Sequence, residues 1–260
     1  MNHRLTNIIF STAFSGYFQK LIRFLVSLIT LPIIISSLGK VEYGIFVLVG
    51  QSVLLMSLSD MGISNSIGRF ISKYLAINDV DELNNIYNTS VKLLTIVSFL
   101  ILLTTFLISK YIPIWLNIAD EYYEISKLLF ELNGFFLALT FPTKIGQGIL
   151  SGKQLYPIIN LTNAFLAIVQ LIGIILLSYF NILNLIELTL LILIINLLNQ
   201  LILIYFSLKN TNLYRFDFCS FSINSAKNIF SLGSSSLLIS LSGMLITQGL
   251  IISVGILCGT

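Results

Sequence analysis

The sequence predicts an all-α membrane protein with about seven transmembrane helices. Three observations carry the prediction. Hydrophobic residues fill 56% of the 260 positions and charged residues only 10%, against about 25% charged in soluble domains. Mean hydropathy is +0.96. Several stretches approach or exceed the roughly 20 apolar residues needed to cross a bilayer and hold no charge.

Taken in order, the first apolar stretch is 21–38, with Arg23 inside it and Lys20 just before it. A glycine-flanked turn at 37–44 leads into 45–63, which contains Asp60. An amphipathic segment, 67–76, and an acidic loop at 78–82 precede the charge-free stretch 93–109. The stretch 128–143 contains Glu131 and ends in a turn rich in glycine, with Gly146, Gly148, Gly152 and Lys153. Three further stretches, 154–186, 188–208 and 228–260, carry no charge. The polar connection 210–228 is the longest, and it is the expected hinge between two units. Pro32 and Pro142 are expected to kink the first and fourth spans, because proline cannot donate to the helix ladder.

The same residues exclude other classes. The net charge of +3 is small and scattered, so no nucleic-acid partner is expected. Cys219 and Cys258 are too few for a disulfide framework, and His3 is the only histidine, so no metal site is expected. No P-loop, GxGxxG, GxSxG or HExxH signature is present, and no loop is long enough to hold an enzymatic domain. No catalytic residue and no cofactor are expected.

Basic residues set the orientation, since lysine and arginine favour the cytoplasmic side. With the N-terminus inside, the inner connections hold Arg4, Arg69, Lys73, Lys144, Lys153, Lys209, Arg215 and Lys227. The outer ones hold Lys40 and Lys110, with Lys127 at a boundary. A multi-pass protein with a cytoplasmic N-terminus is expected.

Ionisable residues inside spans are expensive, so they face a cavity, a partner or the interface. Lys20 and Arg23 are three residues apart and share a helix face. Asp60 falls at a similar depth on the second span, making a Lys20/Arg23–Asp60 cluster geometrically reasonable. The functional reading is a water-accessible chamber whose cations attract an anion. The plainer reading has Lys20 and Arg23 reaching the inner headgroups, Asp60 capping a helix, and Glu131 pairing with Lys127. Gln51, Asn133, Asn163, Gln170, Asn196, Asn199, Gln200 and Gln248 also lie in apolar spans. Most such residues bond between helices, and a minority line a path.

Four segments resemble a known family. Leu31-Pro32 with Leu38-Gly39-Lys40-Val41-Glu42-Tyr43-Gly44 resembles the "LP…LGxxxYG" end of the first span in polysaccharide and O-antigen flippases of the multidrug/oligosaccharidyl-lipid/polysaccharide exporter superfamily. Residues 60–71, from Asp60 and Gly62 to Arg69-Phe70-Ile71, are similar to the "DxGxxxxxxRFI" segment. Gly148-Ile149-Leu150-Ser151-Gly152-Lys153-Gln154 resembles "GxLxGxQ", and 249–259 resembles the seventh span. Gln248 stands where the family usually carries an acidic residue.

The resemblance implies a fold of two six-span lobes around a central cavity that rock between inward-open and outward-open states. The chain would supply the N-terminal lobe at 1–208, a cytoplasmic linker at 209–227, and a seventh span at 228–260 that begins a truncated second lobe. The implied substrate is an undecaprenyl-pyrophosphate-linked oligosaccharide, flipped across a bacterial inner membrane for surface polysaccharide synthesis. Arg23 is then the first choice for the pyrophosphate contact, with Lys20 and Arg69 in support and Asp60 and Glu131 as gating or charge partners. Partners beyond this ligand and membrane lipids would be a second lobe or polypeptide and polysaccharide-assembly proteins. The alternatives are a cation-coupled drug exporter of the same superfamily, or a gene fragment inactive on its own.

Overall fold

A computed structural model describes residues 3–57, 62–210 and 221–258. The order is α1 (His3–Leu38), α2 (Lys40–Met56), α3 (Ile63–Ala76), α4 (Val80–Ile108), α5 (Ile112–Trp115), a 3-10 turn at Asp120–Tyr122, α6 (Tyr123–Thr140), α7 (Lys144–Gly152), α8 (Tyr156–Tyr179), α9 (Leu185–Lys209) and α10 (Ile223–Cys258). Asp60, Cys219 and Arg215 lie outside the described residues.

Helix ends follow local chemistry. Asn78, Asn117, Gln154 and Asn181 take left-handed φ of 53–60° just past α3, α5, α7 and α8. At each, paired backbone bonds reach back into the last turn, as in Ile182 N–H to the Leu177 carbonyl at 3.0 Å and Leu155 N–H to Leu150 at 2.8 Å. This is the motif that satisfies orphan carbonyls at a helix terminus. Gly39, at φ 84°, joins α1 to α2. Asp79 caps α4 by accepting from Glu82 N–H at 3.1 Å.

Among the described residues, four helices are long and apolar enough to cross a membrane: Ile8–Leu38, Val80–Ile108, Tyr156–Tyr179 and Leu185–Lys209. A fifth is reached if Asp120–Thr140 and Lys144–Gly152, bent by 43°, form one broken span. The 17-residue α2 and the 36-residue α10 stand beside these, so seven passes remain compatible with the helix order. Within the second expected span, α2 has 17 residues, about 26 Å of helix, and 58–61 lie outside the described residues. The single stretch 154–186 ends as a helix at Tyr179 because Asn181 turns the chain. The bend between α6 and α7 falls at Pro142, where a kink was expected, whereas α1 continues through Pro32 to Leu38.

Direction can be read from side chains. Ser15 meets Asn160 at 3.0 Å and Ser37 meets Ser178 at 3.2 Å, so α1 and α8 run parallel. Ser98 reaches the Ala138 carbonyl at 2.7 Å, and Gly134 lies against Thr105, so α4 and α6 run antiparallel. If α2–α3 and α6–α7 each cross once, α1 and α8 are the first and fifth of alternating passes and must be parallel, as found.

The main core joins α3, α4, α7 and α10 through Ile67, Ile71, Leu94, Phe141, Ile149 and Ile229. A second core unites α2 and α6 around Ile45, Val49, Leu129 and Phe130. A third clamps α1 to α8 and α9 with Ile34, Ile174 and Leu188. The outer surface is the reverse of a soluble protein's: Phe10, Phe14, Phe24, Phe99, Phe165 and Leu176 are exposed. Burying such side chains in lipid gives the hydrophobic gain that a water-soluble fold obtains from its core.

Candidate functional site

Two adjoining cavities are built from periodic polar positions on α1 and α8. On α8, the polar Tyr156, Asn160, Asn163 and Gln170, with the small Ala167 between the last two, recur at alternating spacings of four and three residues, which places them on one face. On α1, Gln19, Arg23, Ser27 and Thr30 follow at spacings of four, four and three residues and likewise share a face. Because the two helices run parallel, these polar seams lie side by side.

The first cavity, about 680 Å³, is basic. Arg69 from α3 and Lys144 from α7 line it with Gln147, Ser72, Ser151, Gln19, Asn160 and Asn163. Its wall depends on close approach of α3 to α7. A methyl group on Gly152 would lie 2.8 Å from the Gly68 carbonyl oxygen and 2.8 Å from the Ile71 side chain. Ser72 donates to the Gly152 carbonyl at 2.6 Å, fixing the same contact. The Lys144 ammonium sits 3.9 Å from the centroid of the Phe141 ring, a cation–π contact. Just beyond the cavity, burial lowers the pKa of Lys153 below its ordinary value, and its ammonium donates to the Asn210 carbonyl at 2.5 Å.

The second cavity, about 460 Å³, lies between α1, α8 and α9. Arg23 lines it with Ser27, Thr30, Asn163, Gln170, Asn196 and Asn199. Asn199 donates to the Asn163 side-chain oxygen at 2.6 Å. Asn163 borders both cavities, so the pair stands where they meet. Asn196 also borders a third space of about 170 Å³ that contains Asn133. Among the described residues, which exclude Asp60, no carboxylate lines any of these three.

The expected site residues separate. Arg23 and Arg69 line neighbouring cavities, whereas Lys20 lines neither and rests 5.9 Å from the Tyr17 ring centroid on an exposed part of α1. Asp60 lies outside the described residues. Glu131 borders a separate hollow with Glu124, Lys127 and Ile186, and Lys127 pairs with Glu124 at 3.9 Å rather than with Glu131. Lys144, Gln147, Asn160 and Gln19 were missed as site residues. The signal that would have found the α8 members is the four-three spacing of polar residues along an otherwise apolar helix.

Comparison with known proteins agrees with this architecture. The MatE family profile matches residues 17–176. A solved structure of a MOP superfamily transporter from Pyrococcus furiosus, described as having a binding pocket of reversed polarity that suggests a different function, superposes with a TM-score of 0.75 at 14% identity. The alignment covers 96% of this chain and 62% of that one, so the chain spans less than two thirds of that transporter's length. No curated protein sequence matches. The chain, a multi-pass helical membrane protein, belongs to the MatE family of transporters.

Proposed function

We propose that this chain forms the N-terminal lobe of a flippase for a lipid-linked oligosaccharide, with Arg69, Lys144 and Arg23 drawing in the pyrophosphate. The observation that supports this best is the lining of the two cavities: cations and neutral hydrogen-bonding groups, with no carboxylate among the described residues. Arginine grips phosphate oxygens through paired, charge-assisted hydrogen bonds. A polytopic protein handling an isoprenoid pyrophosphate needs a water-accessible basic patch beside a lipid-facing exterior, and α1, α3, α7 and α8 supply both. A drug exporter for organic cations would place acidic groups in the same space.

In this reading Lys20 meets phosphates at the headgroup level rather than within a cavity, and Asp60 and Glu131 act in gating. The N-terminus lies in the cytoplasm of a bacterial inner membrane, residues 209–227 link the lobes, and 228–260 opens the second lobe. That lobe, from further sequence or another polypeptide, closes the pathway with the polysaccharide-assembly proteins that supply and receive the glycan.

The test is binding of farnesyl pyrophosphate, and separately of ethidium, to the purified chain in sugar-free detergent. Arg69→Ala with Lys144→Ala is expected to weaken farnesyl pyrophosphate at least tenfold, about 1.4 kcal/mol, and Arg23→Ala to weaken it less. Preference for ethidium, or pyrophosphate binding indifferent to these changes, would refute the assignment.

A further inference from the structure

The second cavity has chemistry of its own. Among the described residues it carries one charge, Arg23, whereas its neighbour carries Arg69 and Lys144. The remaining polar lining is neutral: Ser27, Thr30, Asn163, Gln170, Asn196 and Asn199. We propose that this cavity is the sugar subsite, taking the hydroxyl-rich head of the ligand while the basic cavity takes its phosphates. This inference rests on the lipid-linked oligosaccharide reading above.

Three observations carry it. The side-chain oxygen of Asn199 is buried without a hydrogen-bond partner, although its amide nitrogen is engaged by Asn163. That acceptor is closed off as the side chain stands, and a ligand hydroxyl, which brings its own proton, satisfies it once Asn199 turns toward the cavity it lines. Gln170 and Asn196 also line the cavity and bond to no protein group among the described residues. If these amides served only to hold helices together they would bond to one another, as Asn163 and Asn199 do. Each open carboxamide offers both a donor and an acceptor, the pairing that a sugar ring with adjacent hydroxyls returns. Phe24 adds an aromatic surface in the same lining, suited to the C–H face of a pyranose.

Size and placement agree. At about 460 Å³ the cavity falls within the roughly 300–1,000 Å³ of small-molecule sites. It meets the basic cavity at Asn163, so a sugar in one can be joined to a phosphate in the other. The seam on α8 passes from Asn160 in the basic cavity to Gln170 in the second one.

The experiment compares two probes on the purified chain in sugar-free detergent: farnesyl pyrophosphate, and farnesyl pyrophosphate carrying one glucose or N-acetylglucosamine. The expected result is that a sugar tightens binding to the native chain about tenfold. Asn199→Leu and Gln170→Leu should each remove most of that gain while leaving farnesyl pyrophosphate within about twofold. Gln170→Leu breaks no bond within the protein, so it guards against a folding defect in Asn199→Leu. Equal affinity of both sugar probes and the bare pyrophosphate for the native chain would overturn the subsite and leave the flippase reading standing. A gain that survives both substitutions, or an equal loss for all probes, would also overturn it, marking the amides as structural. Failure of every probe to bind would remove both readings together.

Discussion

The wall of the basic cavity makes a sharp prediction about Gly152→Ala. In most helices this change helps, because alanine has a lower conformational entropy cost than glycine by roughly 0.5–1 kcal/mol. Here the added methyl would sit 2.8 Å from the Gly68 carbonyl oxygen, from Ile71 Cβ and from Ile71 Cγ2. None of these groups can step aside alone. One is backbone, and the others belong to a β-branched side chain that is stiff about χ1. Overpacking of this kind costs about 1–3 kcal/mol. Parting α3 from α7 would also stretch the Ser72–Gly152 hydrogen bond of 2.6 Å, worth about 0.6 kcal/mol between membrane helices. The balance is a net loss of about 1–2 kcal/mol after the helix gain. Gly50→Ala is the matched control, since nothing lies within 4 Å of its new methyl, and it should stabilise slightly. Thermal unfolding of both variants in detergent, followed by loss of the monodisperse peak, reads the difference. A midpoint for Gly152→Ala at or above that of Gly50→Ala would refute the close-packing argument.

Two other perturbations test local chemistry. Asp79→Ala removes the cap that accepts from Glu82 N–H at 3.1 Å, and it should cost about 0.5–2 kcal/mol; Asp79→Ser should recover most of that in the same unfolding assay. Lys153 has its pKa lowered by burial, so the unfolded chain binds more protons than the folded one between the depressed folded value and the ordinary 10.5. The penalty is complete below that window and is relieved as pH rises through it. The stability difference between the native chain and Lys153→Met should therefore shift in favour of the native chain as pH approaches 10.5, and a flat difference would contradict the burial.

How much of this was legible in the sequence depends on which physical signal each feature uses. The apolar helices are plain because charge is absent over lengths set by the bilayer. The turns at Gly39 and 152–154 are plain because glycine and polar residues mark left-handed backbone. The end of α8 was hidden, since Asn181 reads as one more polar residue in a charge-free stretch until its φ of 56° is known. Arg23 and Arg69 were found by the cost of a charge in lipid. Lys144 was not, because a lysine at a helix boundary reads as an orientation signal. The amides were seen but read mainly as interhelical bonds. Asn163 and Asn199 bond to each other between helices, while Gln170 and Asn196 line the cavity without such a bond among the described residues, the role expected of a minority. The two cases differ in what stands opposite each side chain, and spacing along one helix does not contain that.

The cavity walls are not equally secured. The α3–α7 wall is fixed by glycine contacts and by the largest core, with Ile67, Ile71 and Ile149 almost fully buried. The α9 wall has 33% of its most apolar stretch buried, against 17% for α1. Apart from Ser15, Thr30 and Ile34, the described side chains of α1 are not fully buried. Two side-chain hydrogen bonds, Ser15–Asn160 and Ser37–Ser178, tie α1 to α8, and such bonds contribute about 0.6 kcal/mol each. These bonds add to the long packed contact of α1 on α8 and to the core of Ile34, Ile174 and Leu188. The wall bearing Arg23 is therefore held by side-chain packing along one face of α1, whereas the wall bearing Arg69 and Lys144 is also fixed by backbone close approach at Gly68 and Gly152.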